Sequence, residues 1–495
     1  MVAARRRGAR LHRKWGAAIG NPGAFGARWR AASTPYGHRR PGRARMIIKA
    51  VRIVLVSTYE LGRQPFGLAS PAAWLRGAGH EVVAADVSCG PLPLAAIEQA
   101  GLAAFFLPMH TATRLFLKLL GRVRELNPGA HLCAYGLYAP INEALLRRAG
   151  VATILGGEFE QGLVDLAGRL AGGQTDGQRE PLVSLARQSF RVPDRTGLPP
   201  LGAYARLVVA GALRTVGYTE ASRGCKHRCR HCPVVPVYDG VFRVVQPEVV
   251  LEDIRLQVAA GAQHITFGDP DFFNGPGHAL RIVEGLHAAW PELTYDVTIK
   301  VEHLLEHGGL LGRLRETGCL FVTSAVESLD DAVLEKLEKG HTRAGFIEAL
   351  RLMREAELPL APTFIPFTPW TTREGYRDFL RTLSGLGLEE QVAPIQLAIR
   401  LLIPEGSRLL ELPEVRRMVG PFDPAQLVYP WRNEDRSLDD LCAALQQTIK
   451  HEDRRRTPRG EVFRRICDLA GAAAMPHEPL VSRAAIPYLT EPWYC

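Results

Sequence analysis

The chain has 495 residues, which is enough for two or three domains with separate cores. Its hydrophobic share of 46% and charged share of 23% are those of an ordinary globular protein, and it lacks the run of about 18 apolar residues typical of a membrane span. The nine cysteines are too scattered for a secreted disulfide scaffold, so we expect a reducing, cytoplasmic compartment.

The net charge of +10 belongs to the first segment of the chain. Residues 1–45 hold twelve Arg or Lys and no Asp or Glu, and removing these twelve charges leaves −2 for the rest. Three interpretations fit: an arm that binds nucleic acid or membrane, an organellar transit peptide, or a gene start placed upstream of the true one at Met46. We favour the last, because a strand-like run follows Met46 at once. We therefore expect neither nucleic-acid nor membrane binding.

Strand-like and helical stretches alternate about five times between VRIVLVS at 51–57 and VATILGG at 151–157. This alternation predicts a doubly wound, Rossmann-like α/β domain over residues 46–175, with ligands at the carboxyl ends of its strands. The first strand is not followed by Gly-x-Gly-x-x-Gly, which disfavours NAD or FAD. The turn-rich residues 176–216 predict an interdomain linker.

A second alternating series follows over residues 217–405, with six β/α units that end in the strand-like PIQLAIRLL. Six units predict an open (β/α)6 partial TIM barrel, in which active groups gather at the carboxyl ends of the strands. Residues 406–495 are rich in charged and helical patterns, so we expect a helical C-terminal extension.

Three cysteines stand close together in CKHRCRHC, in the loop after the first predicted barrel strand: Cys225, Cys229 and Cys232. A closed zinc site needs four ligands, and the close spacing of this run does not suit a tetrahedron. Three free thiols clustered by chance are a weaker alternative. A [4Fe–4S] cluster with only three protein thiolates would leave one iron open to an outside ligand.

The spacing Cys-x3-Cys-x2-Cys, followed by a β/α series, resembles the radical S-adenosylmethionine (SAM) superfamily. In that family the open iron chelates the amino and carboxylate groups of SAM, and an electron from the cluster yields a 5′-deoxyadenosyl radical that abstracts hydrogen from the substrate. The resemblance implies a radical SAM enzyme that receives electrons from a flavodoxin- or ferredoxin-type donor. It does not identify the substrate, whether small molecule or peptide.

The same resemblance implies that His231 and a turn after the second strand contact SAM. His231 precedes the third cysteine, where the family usually has an aromatic residue against adenine. Gly268, Asp269 and Pro270 stand where the family has a Gly-Gly-Glu-type turn whose backbone binds the methionine amine.

Charged residues near the ends of other predicted strands are further candidates by resemblance. Glu327, in SAVES, resembles a residue that touches the ribose, while Lys300 and Arg400 could pair with the methionine carboxylate. The alternative for these three and Glu302 is a structural ion pair at the barrel rim. Asp271 is a candidate to face the substrate.

The first α/β domain resembles the cobalamin-binding domains of one large radical SAM subclass, in order, in size and in the glycine pair of LGG at 155–157. The usual Asp-x-His-x-x-Gly after the first strand is replaced by YELGRQPFG, so the cobalt-ligating histidine is missing. Bound cobalamin and a cofactor-free relic both stay open. Cobalamin-dependent methyl transfer therefore competes with cobalamin-free radical oxidation or rearrangement. A non-enzymatic metal-binding redox protein is the alternative from another class.

The last residues, PYLTEPWYC, resemble the end of the radical SAM proteins named for a Cys-Sec-Ala-Glu-Pro or Cys-Cys-Ala-Glu-Pro tail. Cys495 would be the first cysteine of that motif and a redox candidate. We expect the reading frame to continue through a selenocysteine codon, and the alternative is an ordinary C-terminal cysteine.

Overall fold

The computed structural model describes residues 50–472 and 486–490. The basic segment 1–45, Met46 and Cys495 lie outside the described residues, and so do the predictions made for them. Within the described ranges, no helix combines the length and the apolar character that crossing a membrane requires.

The first part of the described chain alternates strands and helices as predicted. Its elements, in chain order, are β1 (Arg52–Ser57), α1 (Phe66–Gly77), β2 (Glu81–Asp86), α2 (Leu94–Glu98), β3 (Leu102–Phe106), α3 (His110–Leu126), β4 (His131–Tyr135), α4 (Tyr138–Ile141), α5 (Glu143–Arg148), β5 (Thr153–Gly157), α6 (Glu160–Ala171) and β6 (Val183–Ser184). The sheet is parallel in the order β2-β1-β3-β4-β5-β6.

Helices cover both faces of this sheet, which explains why its central strands are apolar throughout. Strands β3, β4 and β5 are buried along their whole length, and two separate hydrophobic clusters pack on the opposite faces. The prediction of a doubly wound α/β fold is confirmed. The strand order reverses between β1 and β3, which is where such folds open a crevice for ligands.

The second part holds the larger sheet and the remaining helices. Its elements are β7 (Arg206–Val209), β8 (Ala212–Thr219), β9 (Ser222–Gly224), α7 (Val235–Tyr238), β10 (Phe242–Val244), α8 (Pro247–Ala259), β11 (His264–Phe267), α9 (Pro276–Ala289), β12 (Thr294–Thr298), α10 (Val301–Glu306), α11 (Leu311–Glu316), β13 (Cys319–Glu327), α12 (Asp331–Lys336), α13 (Arg343–Glu355), β14 (Leu360–Phe364), α14 (Arg373–Gly385), α15 (Pro413–Met418), α16 (Arg436–Arg455), α17 (Arg459–Ala470) and β15 (Tyr488–Leu489).

This sheet is an open, partial barrel in the order β14-β13-β12-β11-β8-β7-β15. Strands β8 and β11 to β14 run parallel, as the β/α series predicts, while β7 and β15 are antiparallel additions at one edge. The edge formed by β7 explains how the predicted linker, residues 176–216, is used: it supplies β6 to the first sheet and β7 with part of β8 to the second. The boundaries of the predicted domains stay predictions.

The prediction of a sixth barrel strand at residues 394–402 is wrong for most of these residues. Residues Pro394–Leu397 form a 3-10 helix, and of the predicted strand only Arg400 pairs with Phe367 in a parallel bridge. Pro394 has no N–H to donate to a ladder. The side chain of Gln396 instead accepts the backbone N–H of Phe364 at 3.0 Å, so a side chain occupies the edge of β14. The C-terminal helices α16 and α17 pack their buried faces on the barrel core, as the predicted helical extension requires.

Candidate active site

The three cysteines lie on the loop between β9 and α7. Cys225 directly follows β9, Cys229 is buried, and Cys232 leads into α7. Cys225 and Cys232 pack against an apolar cluster that joins α7 to Ile141 at the end of α4. The carboxyl edge of the first sheet therefore faces the cysteine loop at the carboxyl end of the first barrel strand.

Burial favours the protonated form of the Cys225 and Cys232 thiols. It raises the pKa of Cys225 to about 11 and that of Cys232 to about 12. The ammonium group of Lys339 opposes this effect at Cys232 and is itself favoured by its proximity to Cys229 and Cys232. A cation beside two of the loop cysteines favours a metal-binding thiolate set, and metal binding has to displace the thiol protons.

Glu327 connects the end of β13 to the cysteine loop. Its Oε1 lies 3.1 Å from Nε2 of His231 and 3.4 Å from Nζ of Lys339. Although burial opposes ionisation, Lys339 and His231 together lower the pKa of Glu327 to about 2. Glu327 also has a positive φ of 69°, a conformation that costs a non-glycine residue energy. The carboxylate thus fixes the imidazole beside Cys232, while the predicted contacts of His231 and Glu327 with SAM stay predictions.

Replacing Glu327 with Gln is expected to lower the free energy of unfolding by about 1–3 kcal/mol at neutral pH, because Lys339 then lacks its buried counter-ion. The depressed pKa means that wild-type stabilisation is complete above about pH 4.3, the unfolded value, and is lost as the pH falls towards 2. Urea unfolding between pH 7 and pH 3.5 should show that the stability difference between wild type and variant shrinks only below about pH 4.3. Glu252→Gln, in an exposed pair with Arg255, is the control and should stay near wild type at every pH. A difference that grows in acid would contradict the assignment.

The turn after β11 supports the start of the cysteine loop. Asp269 accepts a hydrogen bond from Ser222 Oγ at 2.5 Å and another from the backbone N–H of Ala221 at 2.9 Å. A Cβ on Gly268 would overlap the phenol of Tyr218, so this position requires glycine. Sequence reasoning assigned only backbone roles to Gly268, Asp269 and Pro270. Those roles stay predictions, and the side chain of Asp269 has a positioning role that the sequence did not reveal.

Lys300 and Arg400 occupy different surroundings. Lys300 Nζ lies 2.6 Å from Glu302 Oε2 and 3.1 Å from His227 Nδ1, so it reaches the cysteine loop. Arg400 instead donates to Asp439 on α16 at 2.6 Å and stacks on the ring of Trp431. Both side chains form ion pairs of the kind that the alternative interpretation describes. Their pairing with the methionine carboxylate stays a prediction.

A buried ion network, missed from the sequence, joins the first sheet to the cysteine loop. Arg223, two residues before Cys225, donates to both oxygens of Glu160, at 2.7 and 2.9 Å, and to Glu220 at 2.7 Å. Its third partner, Glu158, lies 3.4 Å away. Burial raises the pKa of Glu158 to about 7, whereas Arg223 and Ser70 outweigh burial and lower that of Glu160. The local signals for this network are Arg223 in β9 and Glu220 three residues before it.

Comparison with known proteins defines the family of the barrel. Residues 219–383 match the family model described as the radical SAM superfamily. This segment is a radical SAM domain. The family uses a [4Fe–4S] cluster and SAM, and the three cysteines of this domain fit three thiolate ligands, since they lie on one loop, are buried or half-buried, and have Lys339 beside two of them.

Individual relatives match parts of the chain. The tRNA-2-methylthio-N(6)-dimethylallyladenosine synthase of Thermus thermophilus is 26% identical over 181 residues, which cover 34% of this chain and 38% of that protein. The chain thus spans less than two fifths of the curated relatives first matched. The structure of OxsB, a cobalamin-dependent SAM radical enzyme with aqua-cobalamin and SAM bound, covers 82% of this chain and 67% of its own, at 15% identity and a TM-score of 0.65.

A second solved structure is similar over a smaller part of the chain. The radical SAM methyltransferase TsrM of Kitasatospora setae, solved with cobalamin and a [4Fe–4S] cluster, covers 68% of this chain and 73% of its own, with 17% identity and a TM-score of 0.53. At such identities these likenesses establish the fold. They confirm a Rossmann-like domain ahead of a radical SAM domain as the arrangement of this chain.

The carboxyl edge of the first sheet has features that bear on a bound cobalamin. Ser57 Oγ and Glu60 Oε2 are buried at the end of β1 without a hydrogen-bond partner among the described residues, so this edge can accept a polar ligand. The segment 58–66 contains no histidine. A Cβ on Gly157 would overlap the Ser184 carbonyl, so glycine at this position allows β5 and β6 to approach each other closely. If a corrin binds at this edge, the segment 58–66 cannot supply a histidine to its cobalt.

Proposed function

We propose that the chain is a radical SAM enzyme whose [4Fe–4S] cluster is held by Cys225, Cys229 and Cys232. The observation that carries this proposal is the position of the three cysteines, on one loop of the radical SAM domain and beneath the carboxyl edge of the first sheet. When bound, the cluster supplies the electron that cleaves SAM to a 5′-deoxyadenosyl radical.

The chain's own residues would prepare and protect that reaction. Glu327 holds the His231 ring beside the cysteine loop, and Asp269 fixes the backbone just before that loop. The apolar cluster between α7 and Ile141 covers the side of the loop that faces the first sheet. Exclusion of water there would protect a carbon radical from side reactions.

We further propose that the reaction is a methyl transfer that uses cobalamin as the methyl carrier. The arrangement of the two domains supports this proposal, since the carboxyl edge of the first sheet lies against the cysteine loop. The orphaned oxygens of Ser57 and Glu60 at that edge are consistent with a bound polar cofactor. The competing candidate is a cobalamin-free radical oxidation or rearrangement, which the missing histidine and the close contact of Gly157 with Ser184 favour.

Anaerobic reconstitution with iron and sulfide, with and without hydroxocobalamin, separates these candidates. After reduction in the presence of SAM, 5′-deoxyadenosine measured by mass spectrometry is expected in both preparations. S-adenosylhomocysteine that forms only with cobalamin would support methyl transfer. Equal products in both preparations would favour the cobalamin-free reaction, and no cleavage at all would contradict the radical SAM proposal.

If cobalamin binds, its cobalt should lack a protein imidazole on the lower face, because the loop after β1 offers no histidine. Electron paramagnetic resonance of the reduced Co(II) form should therefore show no nitrogen superhyperfine splitting from the protein. Growth with 15N-labelled histidine would reveal any such splitting by a change in its pattern. A protein-derived nitrogen pattern would contradict the ligand assignment, and failure to retain the corrin would support the relic interpretation.

We also propose an electron donor for the cluster and a cellular compartment for the protein. A flavodoxin- or ferredoxin-type donor in the cytoplasm would reduce the cluster, and a reducing compartment agrees with the buried, reduced thiols of Cys133, Cys319, Cys442 and Cys467. Reduction of the cluster by a purified flavodoxin with its reductase, followed by optical bleaching, tests this donor class.

We also propose membership of the group with the Cys-Sec-Ala-Glu-Pro or Cys-Cys-Ala-Glu-Pro tail. The sequence PYLTEPWYC supports it. The codons that follow Cys495 test it: an in-frame UGA or Cys codon followed by Ala-Glu-Pro is expected, and any other reading contradicts it.

A further inference from the structure

Beside the cysteine loop, three side chains from three separate segments converge without using a cysteine. His227 lies on the loop itself, Asp271 precedes the 3-10 helix Phe272–Asn274, and His303 lies in the first turn of α10. Each side chain offers one ligand atom, and these atoms lie within 4.8 Å of one another. Two imidazoles and one carboxylate form a donor set that first-row divalent cations prefer.

The contacts within this group are close but do not form a complete hydrogen-bond network. His303 Nδ1 lies 2.6 Å from Asp271 Oδ2, His227 Nε2 lies 3.6 Å from the same oxygen, and the two Nε2 atoms of His227 and His303 lie 3.2 Å apart. Asp271 is 1% exposed and His303 is fully buried, yet neither Oδ2 nor Nδ1 has a hydrogen bond of acceptable geometry among the described residues. Two buried polar atoms in contact without a bond are costly unless a third group satisfies both.

A second buried histidine–aspartate pair in the same barrel shows the contrast. His264 on β11 places Nε2 2.8 Å from Asp296 Oδ1 and Nδ1 2.8 Å from Thr294 Oγ1, so both of its nitrogens are hydrogen-bonded. Burial of a histidine beside an aspartate therefore does not by itself leave atoms without partners in this fold. At Asp271 and His303, by contrast, Oδ2 and Nδ1 have no hydrogen-bond partner among the described residues, and a cation bound between them would satisfy both.

Surrounding groups hold the candidate ligands in place. Asp271 accepts the backbone N–H of Phe273 with its other oxygen, Oδ1, at 3.2 Å. Its Oδ2 is therefore available to a cation. His227 Nδ1 lies 3.1 Å from Lys300 Nζ and 3.5 Å from Glu302 Oε2, and the Glu302 carboxylate, 2.6 Å from that ammonium, offsets its charge beside the imidazole. An outer carboxylate behind a ligating histidine is the usual support for a metal site.

We propose that His227, Asp271 and His303 bind one first-row divalent cation, such as zinc or ferrous iron, at a site distinct from the iron–sulfur cluster. Three protein ligands leave a coordination position open, as in catalytic rather than structural metal sites. A Lewis acid at this position would hold a polar group of the substrate or a water molecule next to the cysteine loop. The site needs none of the three cysteines, so it stands or fails independently of the radical SAM proposal.

The test uses the full chain with its cluster reconstituted to about four irons, so that the loop cysteines are occupied. After equilibration with Zn²⁺ and removal of excess metal, we expect one zinc per chain by mass spectrometry. Zinc K-edge X-ray absorption should show nitrogen and oxygen at about 2.0–2.2 Å, with imidazole scattering and no sulfur near 2.3 Å. Zinc that is not retained, or that is bound through sulfur, would overturn the proposal.

Variants identify the ligands in the same preparation. Asp271→Asn and His303→Gln should each weaken zinc binding at least about tenfold, since even outer partners of a metal site are worth that much. His264→Gln, which alters the fully hydrogen-bonded pair, should bind zinc like the wild type. Wild-type zinc affinity in both ligand variants would refute the assignment. If a variant does not fold, as shown by loss of its iron, the imidazole scattering of the wild type decides: fewer than two histidine ligands would contradict the site.

Discussion

Replacing Cys225, Cys229 or Cys232 with alanine is expected to abolish both the iron–sulfur cluster and the formation of 5′-deoxyadenosine. Three thiolates are all that the loop provides, so each variant leaves two and cannot hold a cubane cluster. Iron per chain should fall from about four to well below one, and product should fall at least about 100-fold, more than loss of an outer partner causes. Iron analysis and mass spectrometry of the products measure both effects.

Cys89→Ala is the matched control for this series. Cys89 is an exposed cysteine on the first domain, and its hydrogen bonds with described residues involve Ser88 and Ala203 rather than the loop. This variant should keep full iron and full product. Unchanged iron in all three loop variants would contradict the cluster assignment, and loss of iron in the control would show that the effect is not specific to the loop.

Replacing Arg223 with Ala is expected to lower the free energy of unfolding by about 3–5 kcal/mol, because the buried carboxylates of Glu158, Glu160 and Glu220 then lose their shared cation. The same change should loosen the first sheet from the cysteine loop, two residues away. Urea unfolding measures the stability, and limited proteolysis between the two sheets measures the loosening. Arg223→Lys should restore only part of the stability, because an ammonium cannot present a fork to three carboxylates.

Arg313→Ala serves as the control for the loss of a charged arginine. Arg313 also pairs with two glutamates, Glu284 and Glu316, but its side chain is 51% exposed on the surface. Water and salt screen such pairs, so this variant should unfold close to the wild type. Equal losses in the Arg223 and Arg313 variants would show that the buried network has no special role.

The sequence was sufficient where the signal is local. Apolar β-branched runs that alternate with helical periods predict both parallel sheets, because buried parallel strands need helices on each face. The spacing of Cys225, Cys229 and Cys232 lies within eight residues, so the loop could be identified without any knowledge of distant contacts. Glu327 could be selected because it directly ends a predicted strand.

Where the sequence failed, the deciding interactions join distant segments. The strand-like PIQLAIRLL becomes a 3-10 helix and a single bridge, since the side chain of Gln396 binds β14 in place of a backbone ladder. Glu158 and Glu160 precede Arg223 by more than 60 residues, and no periodic pattern marks their pairing. His227 meets Asp271 and His303 only in the folded barrel, because 44 and 76 residues separate it from them in the sequence.

We propose that three thiolates hold a cluster whose fourth iron is open to SAM. Electron paramagnetic resonance of the dithionite-reduced, reconstituted chain, recorded before and after addition of SAM, tests this most directly. We expect a [4Fe–4S] signal from a chain that holds about four irons, and this signal should shift when SAM is added. A signal that SAM leaves unchanged, or a protein that binds zinc through its loop cysteines in place of iron, would contradict it.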